Sequence, residues 1–196
     1  MRGQGTREAA GGGLPWAAVV LTGTVALYMA LVAFGNLTDF GTNREYVRHV
    51  LAMDTTFRDP DLMWRAVTSR TLQDAAYVAV IAWESVAALV LVAATVLGAA
   101  GRGRAGAAGR ARGLATAGLL MVLLLFGAGF WAIGGEWFAM WQSKQWNGVE
   151  AAVRNVTVAG LALVVVRLPG AAGRAPRGTG GPGGVQRAAD AERGAE

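Results

Sequence analysis

Four apolar stretches divide the chain: Leu14 to Gly35, Ala75 to Ala100 with only Glu84 interrupting it, Leu114 to Gly135, and a shorter one from about Val149 to Val166 that carries Arg154 and Asn155. A helix needs about 20 apolar residues to cross roughly 30 Å of hydrocarbon at about 1.5 Å of rise per residue. The first three stretches meet that length, and the fourth meets it if its Arg and Asn are sheltered. The pattern predicts an all-α polytopic membrane protein. Its four transmembrane helices, over about 14–35, 72–100, 114–135 and 149–167, form a bundle with a short helical extracytoplasmic cap. The first stretch is longer than the roughly 7–15 apolar residues of a signal-peptide core, so it reads as a retained helix.

The polar pattern between these stretches predicts smaller elements in the outer loops, 36–71 and 136–148. Thr42-Asn43-Arg44-Glu45 fits a capping box, in which Thr and Glu satisfy free backbone N–H groups, and Tyr46, Val47, Val50 and Leu51 then share one helical face. Asp59-Pro60 reads as an N-cap with proline at the first helical position, opening Asp61 to Val67 with Leu62, Met63 and Trp64 as its apolar contacts. Thr71 and Asp74 suggest a second box at the start of the second membrane helix. In the third loop, Trp137, Phe138, Met140 and Trp141 recur at helical spacing opposite Glu136, Gln142, Ser143 and Lys144, and Trp146 precedes an Asn147-Gly148 turn. Indoles favour the headgroup zone, where the ring stays apolar and the N–H finds water. A re-entrant or interfacial helix follows, and Trp137, Trp141 and Trp146 form an aromatic surface that anchors the bundle or meets a lipid or quinone. Residues 1–13, 101–113 and 168–196 are rich in Gly, Ala, Arg and Pro without periodicity. That composition predicts a short linker at 101–113 and two disordered cytoplasmic tails.

Charge orients the bundle. Of 18 Lys and Arg, the eleven at Arg2, Arg7, Arg102, Arg104, Arg110, Arg112, Arg167, Arg174, Arg177, Arg187 and Arg193 flank the membrane helices on one side. The basic residues of the first loop are offset by acids, and the third loop has only Lys144. By the positive-inside rule both termini are cytoplasmic and the first and third loops face outward. The net charge of +5 is thus accounted for by topology, and no nucleic-acid partner is expected. With no Cys, the chain has no disulfide, thiol redox chemistry, Cys-based zinc site or iron–sulfur cluster. His49 alone cannot supply a bis-histidine haem or signal a Ser-His-acid arrangement with Thr55, Ser69 or Ser143. Asp54, Asp59 and Asp61 do not match the spacing of an EF-hand loop. No cofactor, metal or catalytic residue is assigned.

The stretch Gly135-Glu136-Trp137-Phe138-Ala139-Met140-Trp141-Gln142-Ser143, continuing to Trp146-Asn147-Gly148, together with His49-Val50-Leu51-Ala52-Met53-Asp54-Thr55-Thr56-Phe57 and Leu62-Met63-Trp64-Arg65-Ala66, resembles a known family. It is the predicted small integral membrane proteins of the domain of unknown function 2165. The likeness covers roughly residues 14 to 167. It implies a bacterial four-helix protein of the cytoplasmic membrane and supplies no activity, cofactor or catalytic residue.

Ionisable groups within a span cost roughly 2.5 to 3.5 kcal/mol each on insertion scales, so Glu84 and Arg154 require a reason. Counting from the outer ends of their helices, they lie roughly 10 Å and 8 Å deep. Tyr77 shares a face with Glu84, and Glu150 and Thr157 share one with Arg154. The expectation is an intramembrane polar cluster of Glu84, Arg154, Glu150, Tyr77 and Asn155 in which Glu84 and Arg154 pair across helices two and four. The leading functional reading is a non-enzymatic structural or accessory protein whose partners are the lipid bilayer and a membrane protein or a second copy of itself. The alternative is a small transporter or proton-coupled channel using the Glu84/Arg154 cluster, and the weakest is a lipid- or quinone-handling enzyme. Charge-lined space in the bundle would favour transport; a dry, fully paired core would favour the accessory role.

Overall fold

The computed structural model describes residues 14–101, 104 and 106–168. The expectations for the two tails and for the middle of the Arg-rich loop lie outside these residues. Four helices are long and apolar enough to cross a membrane: Trp16–Thr38, Arg70–Ala100, Ala107–Trp137 and Val149–Arg167. In chain order the elements are α1 (Trp16–Thr38), α2 (Phe40–Ala52), α3 (Arg70–Ala100), α4 (Ala107–Leu123) with a π-helical continuation (Leu124–Trp137), and α5 (Val149–Arg167). The expected all-α bundle is present, with α2 as the helix outside the spans.

The bundle is held by small residues. Ala18, Thr22, Ala26, Met29 and Ala33 line the inner face of α1, and Ala107, Ala111, Ala115, Gly118 and Val122 that of α4. Ala152, Asn155, Ala159, Ala162 and Val166 do the same on α5. Steps of three and four put each set on one side of its helix. Lipid is as apolar as Leu, so membrane helices associate through close packing of small side chains, and the large ones face outward. Leu27, Leu31, Phe34, Leu89, Val96, Leu161 and Val164 accordingly cover the exposed surface. α3 packs between α1 and α4, α5 lies on α4 and its continuation, and a slimmer seam joins α1 to α5.

Several hydroxyls and one indole inside the spans find partners, as a waterless solvent requires, whereas the buried Thr116 hydroxyl of α4 has none among the described residues. Thr24, Ser85, Thr95 and Thr157 each donate to the carbonyl four residues back. The Trp83 indole N–H crosses to the Met121 carbonyl at 2.9 Å, just before the winding of α4 widens. π-winding is rare and usually confined to a single turn, yet here it runs for 14 residues through Gly127, Gly129, Gly134 and Gly135.

Several boundaries differ from the sequence expectation. α4 begins at Ala107 rather than near 114, because Ala is a strong helix former and this turn packs on the end of α3. A Cβ built on Gly101 would stand 2.7 Å from that of Ala107. The Thr42 capping box does not form: α2 starts at Phe40, one residue after α1 ends, and its N-cap Asp39 makes no side-chain cap. The Phe40 ring lies 4.8 Å from that of Tyr77, and this contact starts the helix early. Nor do Thr71 and Asp74 form a box, since Ser69 is the N-cap of α3 and Arg48 claims the Asp74 carboxylate with two hydrogen bonds of 2.9 and 3.0 Å. At Asp59 the side chain does accept the Asp61 N–H, but the segment closes as a 3-10 turn over Met63–Arg65 instead of a helix to Val67.

α3 has 31 residues, or about 46 Å, well beyond the roughly 30 Å of hydrocarbon. Its first turns therefore rise into the cap, where Arg48 binds Asp74 and also Glu45. The first and third loops meet above the bundle. Met53, Phe138 and Ala139 form a small core with Val50, Leu51, Leu62, Met63, Ala66 and Val67 around it. Thr55 donates to Ser143, and the Gln142 side chain accepts the Phe57 N–H.

Candidate functional site

The inner face of α3 carries Gln73, Tyr77, Ile81, Glu84, Ala87, Leu91, Ala94 and Gly98. The same spacing that buries Ala and Leu lower down thus turns Tyr77 and Glu84 inward; they are 1% and 2% exposed. Asn36, in the last turn of α1, donates its side-chain amide to Glu84 Oε2 at 2.6 Å. Its carbonyl belongs to the final turn, which lacks an intrahelical partner, and accepts the Tyr77 hydroxyl at 3.1 Å. Asn36 is the one hydrogen-bond partner of Glu84 among the described residues.

Glu84 lies on the wall of a partly open cavity of about 330 Å³ bounded by α1, α2, α3, the π-helical segment and α5. Its polar lining includes Tyr28, Asn43, Tyr46, Asn147 and Asn155 besides the Asn36–Glu84–Tyr77 group. On the lower side Asn155 donates to the Tyr28 hydroxyl at 2.9 Å. On the upper side Tyr46 points its hydroxyl at the Met140 sulfur, 3.0 Å away. Burial pushes the Tyr46 pKa up to about 12, so this hydroxyl remains protonated at neutral pH.

Gly148 makes room for Tyr46. A Cβ at position 148 would coincide with the tyrosine hydroxyl. Gly148→Ala should therefore displace Tyr46 and cost about 1–3 kcal/mol, the usual scale of overpacking. Tyr46→Phe in the same chain should restore part of that loss in detergent unfolding. An Ala variant as stable as the parent would mean that the roof yields without cost.

The expected cluster is only partly assembled. Tyr77, Glu84 and Asn155 line one cavity, whereas Glu150 and Arg154 are exposed and stand apart from Glu84. No carboxylate lies within ion-pair distance of Arg154 among the described residues, whose ion pairs are Glu45 with Arg44 and Arg48, Asp74 with Arg48, and His49 with Asp54. The Glu84–Arg154 pair is therefore corrected. The reason is rotational: Arg154 and Asn155 are consecutive, about 100° apart around a helix, and Asn155 takes the inward position. Arg154 turns instead onto a second cavity of about 200 Å³, lined by Thr24, Tyr28 and Asn155 among others.

The aromatic loop is likewise rearranged. Trp137 ends the π-helical segment, Ala139 reverses the chain in a left-handed conformation with φ of 50°, and Met140–Gln142 form a 3-10 turn in place of an interfacial helix. Each indole packs against the first loop: Trp137 edge-on to Trp64, Trp141 edge-on to Phe57, and Trp146 stacked on His49 at 4.7 Å. Arg65 lies over the Trp137 ring at 4.8 Å.

Sequence reasoning missed Asn36, Tyr28 and the cavity-facing side of α2. Asn36 was assigned to a loop as the first residue past an apolar run, and Tyr28 was counted as apolar. Their signal was spacing, since Tyr28, Val32 and Asn36 recur every four residues, the stripe that one helix face presents.

A bundle of four helices long and apolar enough to cross a membrane defines a multi-pass membrane protein. The model of the family DUF2165, described as predicted small integral membrane proteins, matches residues 15–169, and the chain belongs to that family. No curated protein and no solved structure matches it.

Proposed function

We propose that this protein binds a small polar solute with cationic or hydrogen-bond-donating character at Glu84, beneath the cap, and that it does so without covalent chemistry. The observation that carries this reading is a carboxylate 2% exposed, with a single amide partner among the described residues, on the wall of a cavity large enough for several heavy atoms. Structural charges in membranes are paired with one another. Among the described residues Glu84 has no cationic side chain within ion-pair distance, so a cation or donor in the cavity would complete its shell. Four helices leave little room for a path through one chain, so transport would require association of copies.

The test is unfolding in mild detergent with a series of small cations, from sodium and ammonium to ethanolammonium. At least one should raise the unfolding temperature of the parent, as a ligand selective for the folded state does, and Glu84→Gln should not respond. If no member of the series shifts the parent, the cavity does not bind cations and the reading fails.

We place the protein in the cytoplasmic membrane with the cap outside. Arg104, Arg110, Arg112 and Arg167 lie at the end of the bundle opposite the cap, which supports this orientation. Reporters fused after residue 10, between Gly103 and Gly109, and after Pro176 should all give cytoplasmic signals, and a reporter between Asp54 and Asp61 should not. A cytoplasmic signal from the last would invert the topology.

A second reading, an accessory role toward a membrane partner, is favoured by the aromatic ridge of the cap. There Phe57 and Trp64 remain 72% and 69% exposed beside Trp137 and Trp141. Cross-linking from position 64 to another protein would support it.

A further inference from the structure

The two cavities share a wall. Tyr28 and Asn155 line both of them and are joined by a side-chain hydrogen bond of 2.9 Å, so the space beside Glu84 and the space beside Arg154 are neighbours. The outer space is framed by Thr24, Val25 and Tyr28 of α1 and by Arg154, Asn155 and Val158 of α5. It sits at the slim seam between those helices, and Arg154 and Val158 are exposed toward the lipid.

The charges on the two sides are complementary to one kind of molecule. Arg154 lies in the second turn of α5, roughly 8 Å below its start, on a lipid-facing surface; Glu150 stands one turn above it on the same helix, and no carboxylate among the described residues is within ion-pair distance. At that depth the anions within reach of a guanidinium are lipid phosphates, which its planar fork binds with two hydrogen bonds. Deeper in, Glu84 has one oxygen held by Asn36 and lies on the wall of a cavity whose lining also includes Tyr28, Tyr46, Asn43 and Asn155. A primary ammonium, with three donors, fits a carboxylate in a cavity whose lining also offers tyrosine hydroxyls and asparagine amides as acceptors. A trimethylammonium has no donor, and it is recognised by aromatic faces instead. A simple cation would leave Arg154 unused, and a simple anion would leave Glu84 unused.

We propose that the occupant is an aminophospholipid whose head enters between α1 and α5, with its phosphate on Arg154, its ammonium on Glu84, and its acyl chains remaining in the bilayer outside the seam. This rests on the binding role proposed for the Glu84 cavity and names the ligand class. The Tyr28–Asn155 hydrogen bond is the element the head must displace.

The test is competition by native mass spectrometry on the full chain in mild detergent, with equal amounts of short-chain phosphatidylethanolamine, phosphatidylcholine and phosphatidylglycerol. The parent should retain the ethanolamine lipid over the other two by roughly tenfold, the scale of a charge-assisted hydrogen bond. Glu84→Gln should erase that preference, and Arg154→Met should weaken all three lipids alike. Equal retention of ethanolamine and choline lipids by the parent overturns the proposal without recourse to any variant. Soluble phosphoethanolamine binding as tightly as the lipid would overturn the lipid source and assign the site to a free solute. If ethanolammonium stabilises the parent through Glu84 while the three lipids bind equally, the cavity reading stands and the lipid proposal falls. If neither occurs, both fall.

Discussion

Asn36→Leu should destabilise the protein by about 1.5–3 kcal/mol, the range for a hydrogen bond to a charged group, because it strips Glu84 of its one partner in a low-dielectric interior. The loss is readable as a lower midpoint in detergent unfolding. Glu84→Leu should also be costly, since the Asn36 amide is then left without an acceptor. The double variant should cost less than the two losses combined, since two apolar groups replace two polar ones. The coupling should fall in the 0.5–3 kcal/mol range of residues in contact. The same cycle run between Glu84 and Arg154 should be additive within about 0.5 kcal/mol, because the two side chains do not meet. Coupling in the second cycle and none in the first would mean that Glu84 pairs with Arg154 and not with Asn36.

Gly118→Val should be at least as damaging. A Cβ at this position would lie 2.6 Å from Leu91 Cγ and 2.7 Å from Leu91 Cδ2, with Val90 Cγ1 at 3.3 Å. Leu91 is fully buried and has nowhere to go, so α4 must move away from α3 at this contact. Overpacking of this kind costs about 1–3 kcal/mol and sometimes more. Leu91→Ala in the same chain should recover part of it. Gly160→Ala is the control: no atom lies within 4 Å of a Cβ there, and removing a glycine from a helix interior should gain about 0.5–1 kcal/mol. If Gly118→Val unfolds at the parental midpoint, the contact between α3 and α4 is looser than the geometry requires.

The spans were legible because hydropathy over some twenty residues integrates many small preferences into one large transfer term. Finer features depend on terms that this sum discards. The first turns of α4 are Ala, Gly and Arg, which fail a hydropathy test yet favour helix and fit against α3. Whether Arg154 or Asn155 faces inward turns on about 100° of helix rotation, and counting depth alone could not decide it. Opposite charge and equal depth suggested a pair, but the nearer partner of Glu84 was an uncharged amide on another helix. Thr42, Thr71 and their acids satisfied the local capping pattern. Tertiary contacts overrode it, through Phe40 against Tyr77 in one case and Arg48 against Asp74 in the other. The π-winding of Leu124–Trp137 had no sequence signal beyond its glycines, and the left-handed Ala139 had none.

Only Asp39 separates α1 from α2, and the wall residue Asn36 lies three positions before it. At the other junction, Gln73 donates to the Val67 carbonyl at 2.6 Å, and Tyr77 reaches across to Asn36. The cap is therefore not a module. A chimera that exchanged the loop between Thr38 and Arg70 for one from a relative would splice into the two turns that build the cavity wall. To keep that wall it would have to carry Asn36 at one splice and Gln73 with Tyr77 at the other, so the transplantable unit is the loop together with the last turn of α1 and the first two turns of α3.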